Sequence, residues 1–153
     1  MKIVLQRVDQ ASVSVDSEII GRIDQGVLVY LGITHGDGEE QMEYVISKML
    51  NLRIFDDPET GKSLDKSVLD LELEILVVSQ FTLYGRVDQG RRPAFTDAAA
   101  IDEAKQTYEK FVEKLKTACE LKVETGEFQA YMKVSSVNDG PFTLVIDSLQ
   151  KSE

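Results

Sequence analysis

Apolar and polar positions alternate near the start of the chain. Val13 and Val15 take turns with Ser12 and Ser14, so an extended segment there has one apolar and one hydroxyl-bearing face. Lys2–Val8, Ala11–Val15, Glu18–Ile23 and Gly26–Ile33 are short runs rich in β-branched residues, and Asp16-Ser17 and Asp24-Gln25-Gly26 read as hairpin connections between them. The period then changes to three and four residues at Met42, Val45, Ile46, Met49 and Leu50, which predicts a helix with Asp37 and Glu40 as its capping pair. A short strand at Leu52–Phe55 and a turn-rich loop from Asp56 to Gly61 follow. Ile75-Leu76-Val77-Val78 is apolar on both faces, which predicts a doubly buried strand within Glu74–Tyr84. Ala104, Tyr108, Phe111, Leu115 and Ala118 stripe a helix predicted from Asp97 to Ala118, about 33 Å long at ~1.5 Å per residue. Strands are expected near Leu121–Glu124, Tyr131–Val137 and Phe142–Asp147, with a turn at Asn138–Thr143 joining the last two.

About nine short strands and two main helices that do not alternate regularly predict an α/β protein. Its sheets are mixed and largely antiparallel, in a layered β/β/α arrangement, and a doubly wound parallel sheet is not expected. No repeat or linker interrupts the 153 residues, so one domain over 1–153 is expected. The longest apolar run, Gly26–Ile33, falls far short of the roughly 18 residues of a membrane span. Lys2, Gln6 and Arg7 interrupt the N-terminal segment and argue against a secretion signal. Cys119 stands alone, which rules out an internal disulfide or a cysteine zinc site and fits a reducing cytoplasm.

Seventeen basic residues against 27 acidic ones leave a net charge of −10, which weighs against holding nucleic acid by charge alone but leaves room for a local basic patch. His35 is the one histidine and sits in a Gly-rich turn without the partners that a triad or a metal site needs, and neither metal-ligand spacing nor a phosphate-binding glycine loop is present. No metal and no cofactor are expected. Two segments invite a functional reading. Ser79-Gln80-Phe81-Thr82 follows four apolar residues, where a strand either surfaces or opens onto a site. Asn138-Asp139-Gly140-Pro141-Phe142-Thr143 is either an ordinary turn or a place where a Gly-Pro bond is cis, at a cost of only about 0.5–1 kcal/mol, turning two backbone carbonyls out of the sheet.

In order along the chain, several segments resemble the D-aminoacyl-tRNA deacylase family. They are Gln6-Arg7-Val8, Ala11-Ser12-Val13, Asn51-Leu52-Arg53-Ile54-Phe55, Ser79-Gln80-Phe81-Thr82-Leu83 and Gly90-Arg91-Arg92-Pro93. Thr125-Gly126 with Phe128, Met132-Lys133-Val134-Ser135 and Asn138-Asp139-Gly140-Pro141 complete the set. The resemblance implies the family's fold and hydrolysis of the ester joining a D-amino acid, or glycine, to the 3′-terminal adenosine of tRNA. It also implies a homodimer whose active sites are completed across the interface by a cis Gly140-Pro141 inserted from the partner, so that L-aminoacyl-tRNA is rejected sterically. Ser79, Gln80, Phe81 and Thr82 would line the pocket at the ester, with backbone N–H donors near Gln80 and Phe81 for the oxyanion. The tRNA 2′-hydroxyl, not Thr82, would assist attack. Arg7 would brace the Gly-Pro loop, Phe128 and Met132 would wall the amino-acid pocket, and Arg86, Arg91 and Arg92, with Lys133, would meet the tRNA.

Three departures from the family's pattern stand out. Phe142 follows Gly-Pro where Val is common, Lys62-Ser63-Leu64 replaces Lys-Met-Asn, and Gln129 and Tyr131 replace the commoner Gly and Asp. Two rival functions remain at this stage: an RNA-independent hydrolase of D-amino-acid esters or peptides, and a noncatalytic nucleic-acid-associated module. Neither a membrane nor DNA is an expected partner.

Overall fold

In the computed structural model, which describes residues 1–150, the first two expected strands are one. β1 (Lys2–Val15) pairs antiparallel along one side with β3 (Gly26–Gly32) and then with β2 (Glu18–Ile23). Its other side is covered by β6 (Lys133–Asp147), which likewise joins two expected strands into one. β3 continues the sheet in parallel with β4 (Glu74–Ser79), and β4 with β5 (Val123–Thr125). The described residues thus form one mixed sheet in the order β2-β1-β3-β4-β5, with β6 on β1. The sheet curls nearly onto itself: a Cβ added at Gly21 of β2 would stand 2.7 Å from the backbone oxygen of Thr125 in β5.

The period-two pattern decides which core each strand residue joins. Ile3, Leu5, Val27, Val29, Ile75 and Val77 point to the helices and pack with Val45 and Met49 of α1 (Glu39–Asn51) and Phe111 and Leu115 of α2 (Ile101–Ala118). Val8, Val13, Ile23, Leu28, Leu76 and Val78 fill the inside of the curl. β4 is apolar on both faces because it serves both cores, and each such side chain fully buried contributes about 1.5–3 kcal/mol.

Several expected boundaries are corrected. Asp37 does not cap α1. Its carboxylate pairs with the Met1 ammonium and accepts from Thr34 N–H (2.9 Å), while Gly38 N–H donates to Gln41 Oε1 (3.0 Å) at the helix start. α2 begins at Ile101 and not at Asp97, because the preceding backbone is already committed: Thr34 bridges Ala98, and Ala99 N–H donates to Ile33 O (3.0 Å). Leu52–Phe55 makes only an isolated bridge, Phe55 to Lys66. β4 ends at Ser79, and Phe81–Tyr84 folds into a 3-10 turn across the end of β3, so close that a Cβ on Gly32 would lie 3.0 Å from Leu83 Cβ.

The expected turn at Asn138–Thr143 is a bulge within β6. Gln6 and Val8 of β1 face Thr143 and Asn138, so five residues of advance on β6 span two on β1 and the excess is extruded. Asn138 closes its neck, with Oδ1 accepting from Phe142 N–H (3.0 Å) and Nδ2 donating to Thr143 Oγ1 (2.9 Å). The Gly140-Pro141 bond is cis, and Gly140 sits at φ +121°, which a side chain would oppose.

Candidate active site

β4 delivers its polar end to a cavity of about 470 Å³. Ser79, Gln80 and Phe81 form one side, Leu31 near the end of β3 and Ile33 just past it the floor, and Phe128 to Met132, entering β6, the opposite wall. Phe95, Ala98 and Ala99 close the remaining side together with the start of α2. Phe128 leans on Tyr108 of α2, with ring centroids 5.6 Å apart. The Tyr108 hydroxyl in turn donates to Val77 O (3.1 Å), and burial pushes its pKa up to about 12. At the mouth, exposed Phe81 meets Phe95 edge to face at 4.9 Å.

The structure therefore brings Ser79, Gln80, Phe81, Phe128 and Met132 together, though Ser79 and Phe128 stand 49 positions apart in sequence. Thr82 stands just beside them, its Oγ1 accepting from Gln80 Nε2 at 2.6 Å. One expected donor is removed. Gln80 N–H is spent on Leu31 O (2.8 Å) as the last rung between β4 and β3. The N–H groups of Phe81 and Thr82, which open the 3-10 turn and precede any intrahelical acceptor, are left in its place.

Gly140, Pro141 and Arg7 do not line this cavity. Both bulge residues are exposed, and Arg7 lies against the bulge's inner side. Its Nε stands 2.9 Å from the Asp139 carboxylate and its Nη1 donates to Ile54 O at 2.6 Å. Its guanidinium lies 5.0 Å from the centre of the Phe142 ring. The neighbouring loop is ordered by Asp56, whose carboxylate accepts from Ser63 Oγ (2.8 Å) and Leu64 N–H (3.0 Å). The Ser63 hydrogen bond, then that of Leu64, holds its pKa below the usual carboxylate value.

Arg86, Arg91 and Arg92 lie on the exposed segment leading to Phe95, beside the mouth. Arg86 is partly spent on Asp88 (3.2 Å). Gln129 and Tyr131, marked in the sequence as departures from the family's pattern, do line the cavity, whereas the wall residues Ala98, Ala99 and Ala130 carry no chemical signal in the sequence; they are there because α2 starts late and the 128–132 segment turns inward. No group of His, Cys, Asp and Glu among the described residues could hold a metal ion, and no described helix is long and apolar enough to cross a membrane.

Comparison with known proteins fits this arrangement. The family described as D-Tyr-tRNA(Tyr) deacylase matches residues 4–147. The chain is 53% identical to a D-aminoacyl-tRNA deacylase of Thermosipho melanesiensis over 97% of both chains. It is 53% identical to the one of Aquifex aeolicus, over 97% of this chain and 98% of that one. Among solved structures, a c-Myc DNA unwinding element binding protein superposes with a TM-score of 0.90 at 44% identity, over 96% of this chain and 98% of that one. A probable eukaryotic D-amino acid tRNA deacylase, at 21% identity and a TM-score of 0.84 over 95% and 97%, shares the fold. With profile and relatives spanning nearly its whole length, the chain belongs to the D-Tyr-tRNA(Tyr) deacylase family.

Proposed function

We propose that this protein hydrolyses the ester of D-aminoacyl-tRNA, and of glycine mischarged onto tRNA such as Gly-tRNA(Ala), in the cavity at the end of β4. The observation that carries this reading is the convergence of Ser79-Gln80-Phe81 and Phe128–Met132 on one mostly apolar cavity in a chain of this family. Thr82 is a poor nucleophile, because its hydroxyl faces the Gln80 amide and not a general base. Positioning carries the catalysis instead: the ester is held near the Phe81 and Thr82 N–H groups, which receive the developing oxyanion, and the substrate's own 2′-hydroxyl assists water.

Rejection of L substrates falls to Gly140-Pro141. The bulge is exposed and outside its own cavity, so only a second copy can supply it. If the partner's Pro141 reaches the wall at Met132, a two-fold axis must cross β6 halfway between them, at Ser136–Val137. Bound there, the bulge's carbonyls face the substrate α-carbon, leaving space for hydrogen and none for an L side chain. Arg86, Arg91, Arg92 and Lys133 meet the tRNA near the mouth, and the enzyme works in the cytoplasm as a homodimer.

The test uses purified protein in EDTA. Tyrosine should be released from D-Tyr-tRNA and glycine from Gly-tRNA(Ala), while L-Tyr-tRNA survives. Hydrolysis of both tyrosyl enantiomers, or of neither, removes the assignment. The neighbour named for a DNA unwinding element favours a second reading, stoichiometric nucleic-acid binding without turnover, which the same assay separates.

A further inference from the structure

The cavity beside Ser79 is uncharged. None of the described residues lining it has an ionisable acid or base of the Asp, Glu, Lys, Arg or His kind, and its polar side chains are Ser79, Gln80, Gln129 and Tyr131. The bulge that the proposed dimer would bring to its mouth contains Asp139, but that carboxylate is held 2.9 Å from Arg7 Nε of its own subunit. An aminoacyl ester presents an α-ammonium. Moved from water into such a cavity, an ammonium loses hydration that neutral dipoles replace poorly. A hydroxyl at the same position is similar in size, both donates and accepts, and costs less to desolvate. No wall side chain carries the negative charge that would single out the amine, and the carbonyls of the bulge accept a hydrogen bond from a hydroxyl as they do from an ammonium.

Resting on the site proposed above, we propose that this protein also hydrolyses 2-hydroxyacyl esters on the 3′-terminal ribose of RNA, with the same preference for the D hand. Water adds to the ester carbonyl, the bond between the acyl carbon and the ribose oxygen breaks, and that oxygen takes up a proton. The products are a D-2-hydroxy acid and RNA with a free ribose hydroxyl, and water is the sole co-reactant. Handedness is read as before, since the α-carbon keeps its hydrogen and side chain in place and exchanges only nitrogen for oxygen.

The experiment charges one tRNA with D-phenylalanine, D-phenyllactate or L-phenyllactate and measures kcat/KM for each ester, divided by its rate without protein. D-phenyllactyl-tRNA should fall within about tenfold of D-phenylalanyl-tRNA, the scale of one neutral hydrogen bond, while the L ester is spared. A larger deficit with D-phenylalanyl-tRNA still cleaved overturns the proposal, as does equal cleavage of both phenyllactyl hands. If neither D ester is cleaved, the deacylase reading of the site itself falls, and this inference with it.

Discussion

Leu64 and Gln129 carry side chains at backbone angles that glycine or asparagine adopts more readily, φ +52° and +68°. Both are positions where the family resemblance leads one to expect Asn and Gly, residues that would meet this backbone with less strain. Leu64 is 48% exposed and returns little burial for that strain. Leu64→Asn, keeping the backbone bond to Asp56, should stabilise the protein by about 0.5–1 kcal/mol, read as a rise in Tm; a lower Tm would mean that the leucine side chain makes a contact worth more than the strain. Local identity alone marked these positions as unusual. That both sit at positive φ could not be read, because φ is set by the loop closed around Asp56 and by the inward turn after Phe128.

At the scale of elements, strand β4 holds the site in place, and it is held in turn by a close approach at its far end. Gly26 of β3 faces Glu74 in the parallel ladder, and a Cβ there would lie 1.9 Å from Glu74 O. Gly26→Ala must push the two strands apart, at a cost of about 3 kcal/mol, and should lower Tm by roughly 6–12 °C in a thermal melt; an unchanged melting temperature would show that the strands separate freely. The apolar run of β4 and the helical stripes were legible because burial imposes their periods of two and 3.6. The ends were not. β1 and β6 each read as two strands because polar residues at Asp9-Gln10 and Asn138–Pro141 look like turns, yet β1 and β6 lend each other enough ladder to carry both through as bulges. Asp37 resembled a cap until the Met1 ammonium, distant in sequence, proved to be its partner.

For the whole molecule, the proposed two-fold at Ser136–Val137 makes a prediction of its own. Light scattering should give twice 17.1 kDa, and Val137→Cys subunits should join through a short bis-maleimide into covalent dimers, with the sole native thiol, Cys119, protected by burial. A monomeric mass at micromolar concentration would overturn the cross-subunit site. The sequence by itself determined the class of the protein: strand and helix periods, a net charge of −10 that confines any RNA contact to a patch, and the ordered segments that mark the family. Tertiary structure decided what shares a cavity. Ser79 meets Phe128 because β4 and the segment before β6 end at the same rim, while Gly140-Pro141, equally conspicuous in sequence, is carried away from that rim along β6. Periodicity reports only whether a residue faces solvent or core; which distant segments meet depends on how the sheet curls, and that curl is a sum over many pairings, none of which a single stretch of sequence contains.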